Sequence, residues 1–304
     1  MEGYGYGKVI LFNEHFVVHG IPSIVSALGD KTTASVEKSN KFELVDNRPE
    51  VPGYKKEKAE QQKDSVQRIL KKMGLEDKKV KITLGGNLIA ASGVGSSAAS
   101  CAAIARALSD FFGMNLSNEK INEIAYEGEK GYHGTPSGID NTAATYGGLI
   151  WFVKGNPPLM ERIKLKKPVE IVMANTGIVA DTKAAVAGVA ERKQKYPDKY
   201  EKLFKKADEI AHKARKALEE FDIKTVGKLM NENHELLQAI EVSHEKLDYL
   251  VDLARKTGAL GAKMTGGGLG GYMYALTPGK ELQEKVAKTL KDKGFMVLKT
   301  QIGI

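Results

Sequence analysis

The sequence predicts an α+β protein of two domains, and three observations carry that prediction. Length is the first: 304 residues exceed one ordinary core and suit two domains of common size. Composition is the second, with 42% hydrophobic and 28% charged residues and 32 Gly against 9 Pro, a globular balance that excludes collagen-like and disordered classes. The third is order. Short strand-like runs crowd the first fifty residues, helical periodicity then takes over, and the chain closes on strand, turn, strand, helix, strand after a helical insert.

β-Branched or aromatic runs at Val9–Phe12, Phe16–Val18, Ser23–Ala27, Thr32–Val36 and Phe42–Val45, separated by Gly and polar breaks, predict a compact antiparallel or mixed sheet. From Lys55 to Met73 the apolar residues Val66, Ile69, Leu70 and Met73 share one helical face, and Gly74 supplies a stop. A strand at Val80–Leu84 leads through Gly85-Gly86 to a helix over Ser96–Phe112. The next helix starts near Ser117, with Asn118 and Glu119 suited to its first turn. A Gly-rich cluster, Gly131 to Gly138, precedes Ile139–Tyr146, and Gly147-Gly148 opens the strand Leu149–Val153. Pro157-Pro158 punctuates the halves, giving domains of residues 1–160 and 161–304. The second half runs from a strand at Val169–Ala174 through helices broken near Tyr196-Pro197 and Phe221-Asp222. It ends with a helix at 244–257, strands at Ala262–Met264 and Tyr272–Leu276, a helix at Glu281–Lys293 and a strand at Phe295–Thr300.

The formal net charge of +8 permits anionic partners without choosing among them. Lys55 to Lys79 carries nine basic and five acidic residues, so half of the excess sits there, interleaved with acids and without aromatics for stacking on bases. A solvated helix face explains it better than a nucleic-acid surface. The lone Cys101 excludes an intramolecular disulfide or a multi-cysteine zinc site. Lys8–Phe12 is too short for a signal peptide, and no apolar run reaches bilayer length, so a cytoplasmic protein without membrane attachment is expected.

Four clusters could carry chemistry. In Ser92-Gly93-Val94-Gly95-Ser96-Ser97-Ala98 the glycines let backbone approach a ligand, and the helix that follows turns unpaired N–H groups back toward the loop. A phosphate suits such a cradle, and Ser96 or Ser97 could add a donor or a metal ligand. The same residues also suit a plain turn with a serine cap. Glu129 and Asp140, separated by a Gly/Pro bend, can converge on one cavity, one holding Mg²⁺ while the other orients an alcohol; each also suits a structural place. Gly7-Lys8 and Asn13-Glu14-His15 flank a strand end, and His133 reads as structural rather than metal-binding. Lys263 to Gly271 holds five glycines between 266 and 271, more than a hairpin requires.

Together these clusters resemble the GHMP kinase superfamily, whose lysine strand, Gly/Ser phosphate loop and C-terminal Gly-rich loop stand here at Gly7–Gly20, Ala90–Ser100 and Lys263–Gly271. Gly-Lys-Val-Ile-Leu-Phe-x-Glu-His-Phe-Val-Val-His-Gly and Gly-Tyr-His-Gly-Thr-Pro-Ser-Gly-Ile-Asp-Asn look like the mevalonate kinase family, in its protozoan and bacterial branch. The resemblance implies a ribosomal-protein-like N-terminal domain, a ferredoxin-like C-terminal domain with a helical insert, and phosphorylation of the 5-hydroxyl of mevalonate by Mg²⁺ and ATP. It assigns Asp140 as proton acceptor, Lys8 to the reacting oxygen, and Ser97 and Glu129 to the metal. Ser92 through Ala98 would hold the ATP phosphates, Glu14, His15 and Thr182 the acceptor, and a homodimer fits the family. Three positions depart from the family pattern. Asn13 replaces a Gly, where asparagine tolerates left-handed backbone but sends a side chain into a substrate-facing region. Ala90 replaces a Pro at a cost in rigidity, and Leu269 replaces a Gly and narrows the last loop. Competing readings are a kinase of phosphomevalonate, homoserine or a sugar, a basic nucleic-acid-binding protein, and a silent nucleotide-binding relative.

Overall fold

A computed structural model describes residues 2–178 and 182–304. Its chain order is β1 (Gly3–Phe12), a 3₁₀ turn (Phe16–His19), β2 (Ser23–Lys38), β3 (Glu43–Asp46), α1 (Tyr54–Glu57), α2 (Ala59–Met73), β4 (Val80–Gly86), α3 (Ser96–Phe111), α4 (Asn118–His133), α5 (Ile139–Tyr146), β5 (Leu149–Val153), β6 (Leu159–Ile163) and β7 (Val169–Asn175). Then follow α6 (Thr182–Lys195), α7 (Pro197–Glu219), α8 (Ile223–Ala239), α9 (Glu245–Lys256), β8 (Gly261–Met264), β9 (Tyr272–Leu276), α10 (Lys280–Asp292) and β10 (Met296–Ile302). The elements form two compact units that interleave along the chain, residues 1–8 with 27–147 and residues 9–26 with 148–304.

In the first unit β4 runs antiparallel to β2, from Thr32 opposite Gly86 to Lys38 opposite Val80, and parallel to β3. The mixed sheet expected from the strand spacing is thus present. Helices α2, α3 and α4 cover it over a core of Val66, Ile69, Leu70, Ile82, Leu84, Ala102, Leu108, Ile121 and Ile124. The apolar face read from the α2 periodicity is the buried one, and Gly74 ends that helix at φ +68°.

Why β1 begins Gly-Tyr-Gly-Tyr-Gly is explained by α3. A β-carbon on Gly5 would lie 2.1 Å from the Ala99 carbonyl oxygen, and one on Gly3 2.3 Å from that of Ala103. Two strand residues advance about 6.7 Å and four helical residues about 6.0 Å, so alternate glycines meet Ala99 and Ala103 in step. Strand backbone therefore rests directly on helix backbone, just ahead of Lys8.

In the second unit β10, β7, β9 and β8 lie side by side in that order, all pairs antiparallel. Numbered along the chain this is 4-1-3-2, with α9 and α10 as the two crossovers and α6 to α8 as the helical insert. The ferredoxin-like domain is therefore observed. β5 pairs with residues 23–26 of β2 and forms a hairpin with β6.

Three elements differ from expectation. Phe16–Val18 forms part of a 3₁₀ turn rather than a strand, because Asn13 at φ +67° swings the chain and Gly20 at φ +88° closes the turn; Phe16 and Val17 are buried nonetheless. The two strands expected at 23–27 and 32–36 are one, since Gly29-Asp30 continues extended. β6 escapes sequence reading because Leu-Met-Glu-Arg-Ile is mostly exposed and lacks β-branched residues before its end.

Candidate active site

Lys8 sits on β1 and is 7% exposed, and its ammonium lies 3.2 Å from the Asp140 carboxylate. Asp140 occupies the first turn of α5, which starts from Gly138 at φ +87°, so the positive end of the helix favours the carboxylate there. The Gly/Pro bend does bring the two acids of α4 and α5 together. Glu129, 1% exposed on α4, has its pKa pushed up to about 8 by burial first and the Asp140 charge second, while Ser97 and Lys8 pull it down. Its Oε1 has no hydrogen-bond partner among the described residues. A buried carboxyl group that burial keeps largely protonated, with one oxygen bare, is a poor structural element, and a bound cation would favour its ionised form.

His133, the last residue of α4, brings Nε2 to 3.4 Å from Ser97 Oγ and 3.8 Å from Glu129 Oε2. Burial holds its pKa below the ordinary histidine value. The structure thus adds His133 to a cluster from which sequence spacing had left it out. Beside it opens a cavity of about 220 Å³ lined by Glu129, His133, Thr135, Pro136, Ser137, Gly138 and Asp140.

The loop from Ser92 to Ala98 is tied to the same strand. Lys8 donates its backbone N–H to the Val94 carbonyl at 2.9 Å. Gly93 and Gly95 take φ of +92° and +71°, and a β-carbon on Gly95 would strike Lys8 Cγ at 2.6 Å. The two serines divide their work. Ser96 Oγ donates to the Ala91 carbonyl at 2.9 Å and accepts from the Ala91 N–H at 3.3 Å, closing the loop on itself. Ser97 Oγ instead faces Glu129 and His133. Val94 and Ala98 are fully buried and anchor the loop.

In the second unit, Glu14 is buried against Lys263, whose ammonium also donates to the Met264 carbonyl at 2.8 Å. Sequence reading gave Lys263 no role, because its partner lies 249 residues away and no local pattern signals a buried pair. His15 is 3% exposed, with Nε2 2.9 Å from the Gly267 carbonyl oxygen. Burial lowers its pKa, so the ring is neutral and Nε2 carries the donated hydrogen. Thr182 begins α6 and presses on the same residue, since a β-carbon on Gly267 would lie 2.1 Å from Thr182 Oγ1. The structure therefore gathers His15 and Thr182 at Gly267. Of the segment leading to Thr182, residues 179–181 lie outside the described residues.

The structure places all three departures from the family pattern. Asn13 keeps the left-handed turn, and its side chain is fully buried. It donates to the Pro22 and Ala207 carbonyls at 2.8 and 2.9 Å and accepts from Asn233 at 2.8 Å. Ala90 gains a bond in place of the missing proline: its N–H donates to the Pro49 carbonyl at 2.7 Å, a bond proline could not make. Leu269 keeps the glycine-like φ at +55°, with its side chain 38% exposed.

The chain is also similar to known proteins. The family model for the GHMP kinases N terminal domain matches residues 62–148, and that for the GHMP kinases C terminal matches residues 214–295. Mevalonate kinases of Pyrococcus furiosus and Pyrococcus horikoshii are 33% and 35% identical, over 97% of this chain and 94% and 93% of theirs. A crystal structure of L. major mevalonate kinase in complex with R-mevalonate superimposes at a TM-score of 0.95 with 38% identity, covering 99% of this chain and 95% of that one. A galactose complex of Lactococcus lactis galactokinase, 21% identical with a TM-score of 0.70, shares the fold. The chain therefore belongs to the GHMP kinases, ATP-dependent kinases of small molecules, and within them it is similar to the mevalonate kinases.

Proposed function

We propose that the chain transfers the γ-phosphoryl group of ATP to the 5-hydroxyl of mevalonate. The observation that carries the chemistry is the Lys8–Asp140 pair, 3.2 Å apart, beside the buried Glu129. In this reading Asp140 accepts the hydroxyl proton as the new O–P bond forms and the bond to the departing ADP breaks. An aspartate is a weak base for an alcohol, but in a loose phosphoryl-transfer transition state the proton moves late and needs only a placed acceptor. Lys8 stabilises the reacting oxygen and holds the Asp140 carboxylate beside it through their ion pair. Ser92, Gly93, Val94, Gly95, Ser96, Ser97 and Ala98 cradle the phosphates through backbone N–H groups.

Ser97 and Glu129 would hold Mg²⁺, which when bound offsets charge on the phosphates. The bare, buried Glu129 Oε1 fits that role. No group of three or more His, Cys, Asp or Glu that could hold a metal exists among the described residues. Two protein ligands suit Mg²⁺, which usually takes its remaining oxygens from phosphate and water. Glu14, His15 and Thr182 are assigned to the acceptor, Glu14 acting through its ion pair with Lys263. Residues 1–160 and 161–304 are assigned as the two family domains, a linear division distinct from the two interleaved compact units. No helix among the described residues is long and apolar enough to cross a membrane, and the reading is of a cytoplasmic enzyme that forms a homodimer.

The identity of the acceptor is supported by the likeness to the R-mevalonate complex at 38% identity. ADP release measured with mevalonate, phosphomevalonate, homoserine and galactose tests it. Mevalonate is expected to give the highest kcat/KM; turnover of another acceptor without response to mevalonate overturns the choice.

A further inference from the structure

Arg48 lies just past β3 and is 5% exposed, outside every motif that the kinase reading uses. Its guanidinium grips the Asp46 carboxylate with two arms, Nε to Oδ1 at 2.9 Å and Nη2 to Oδ2 at 2.5 Å. The remaining arm reaches the first turn of α3. Nη1 donates to the Ser96 carbonyl at 3.1 Å and to Ser100 Oγ at 2.5 Å, and Ser100 spends its own hydrogen on the Ser96 carbonyl at 2.8 Å. Asp46 in turn accepts from Gln62 of α2 at 2.9 Å, and its backbone carbonyl accepts from Lys55 of α1 at 3.0 Å. One buried ion pair therefore links three helices at the start of α3.

That position is unfavourable for a cation on helix grounds alone, because the N-terminal end of a helix carries partial positive charge. Nor does a buried ion pair add stability over apolar residues of the same volume; what it supplies is a fixed geometry. The geometry fixed here is that of Ser96 and, through it, the N–H groups of the first turn of α3 that face the loop. A planar fork with all arms engaged holds that turn in a way a lysine could not. We propose that Arg48, clamped by Asp46, is a positioning residue for the phosphate loop, which sets the affinity for the ATP phosphates. The proposal rests on the reading that Ser92 to Ala98 cradles those phosphates.

Arg48→Lys keeps the charge and loses the fork. It is expected to raise the KM for ATP about tenfold while kcat stays within threefold and the KM for mevalonate within twofold. Ser100→Ala removes one of the Arg48 acceptors without leaving a buried charge unpaired, and is expected to raise the KM for ATP two- to fivefold with Tm unchanged. Hydrogen exchange of residues 92–98 separates the proposal from the reading beneath it. In the wild type an ATP analogue should slow that exchange, and failure to do so overturns the phosphate-loop reading and this proposal together. In Arg48→Lys without nucleotide the same segment should exchange faster than in the wild type. Protection in the wild type, combined with wild-type exchange and ATP KM in both variants, overturns the role of Arg48 alone. If Arg48→Lys does not fold, Ser100→Ala decides: an unchanged ATP KM overturns the proposal.

Discussion

Replacing Asp140 by asparagine removes one charge and almost no volume. The side chain stays in the first turn of α5, next to Lys8. At 3.2 Å and an effective dielectric near 20 the lost attraction is about 5 kcal/mol, an upper figure because solvent screens a carboxylate about a third exposed. Stability should therefore fall modestly. Turnover should fall far more, since a positioned proton acceptor contributes roughly 10²- to 10⁴-fold, or about 3–5 kcal/mol of barrier. ATP binding should not suffer. Glu129 owes part of its raised pKa to Asp140, so the variant ionises Glu129 more readily and leaves the candidate metal ligand better charged. Single-turnover phosphorylation of mevalonate, with the Kd of an ATP analogue measured separately, checks both halves. Near-wild-type turnover refutes the role of Asp140 as acceptor. A loss confined to nucleotide binding refutes it too, and places Asp140 among the nucleotide ligands instead.

Other outcomes follow from burial and backbone contact. His234 is 1% exposed, and burial with Arg255 as the next contributor lowers its pKa to about 4. A depressed histidine stabilises the fold above its unfolded pKa near 6.5 and loses that contribution as pH falls toward 4, so the urea midpoint should drop between pH 7 and pH 4.5; His234→Gln should flatten that slope, and an unchanged slope refutes the assignment. Gly5→Ala must push strand from helix or distort both, and should cost at least about 2 kcal/mol in urea unfolding; a wild-type midpoint would show that the contact yields easily. Asn13→Gly keeps the left-handed turn but strands the carbonyls of Pro22 and Ala207, so about 2 kcal/mol of stability should go while the KM for mevalonate stays within twofold. A large rise in that KM would return Asn13 to the substrate.

How much of this was legible in the sequence depended on whether a signal was local. The α2 face, the Gly74 stop and the succession of strands and helices in the second unit follow from periodicity and punctuation within a few residues, whereas the 4-1-3-2 pairing joins distant strands and was implied only by the family resemblance. The turn at Phe16–His19 eludes sequence reading because β-branched residues next to a glycine look alike in a strand and in a buried turn; what decides is the positive φ of Asn13. At the site, Lys8, Ser97, Glu129 and Asp140 could be named from resemblance, yet Lys263 could not. Its role comes from burial beside Glu14, and burial is a property of the folded chain. His133 stands outside any metal spacing, yet a helix of sixteen residues ending at that position carries it to Ser97 and Glu129. The same limit hid Arg48, which looks like any charged residue after a strand until its depth is known.

The Gly-Tyr-Gly strand laid against Ala99 and Ala103 has a consequence for how such an enzyme can change. Side chains offer graded choices, and an interface built from them can be retuned by a methyl group at a time. Peptide against peptide offers none: the separation of the Lys8 strand from α3 is set by the thickness of two backbones, and the smallest available substitution already exceeds it. The Lys8 strand and the start of α3 are thus a part of fixed dimensions. In the proposed reading, new acceptors would be accommodated instead by residues such as His15 and Thr182, whose side chains meet at Gly267 and can still be exchanged in small steps.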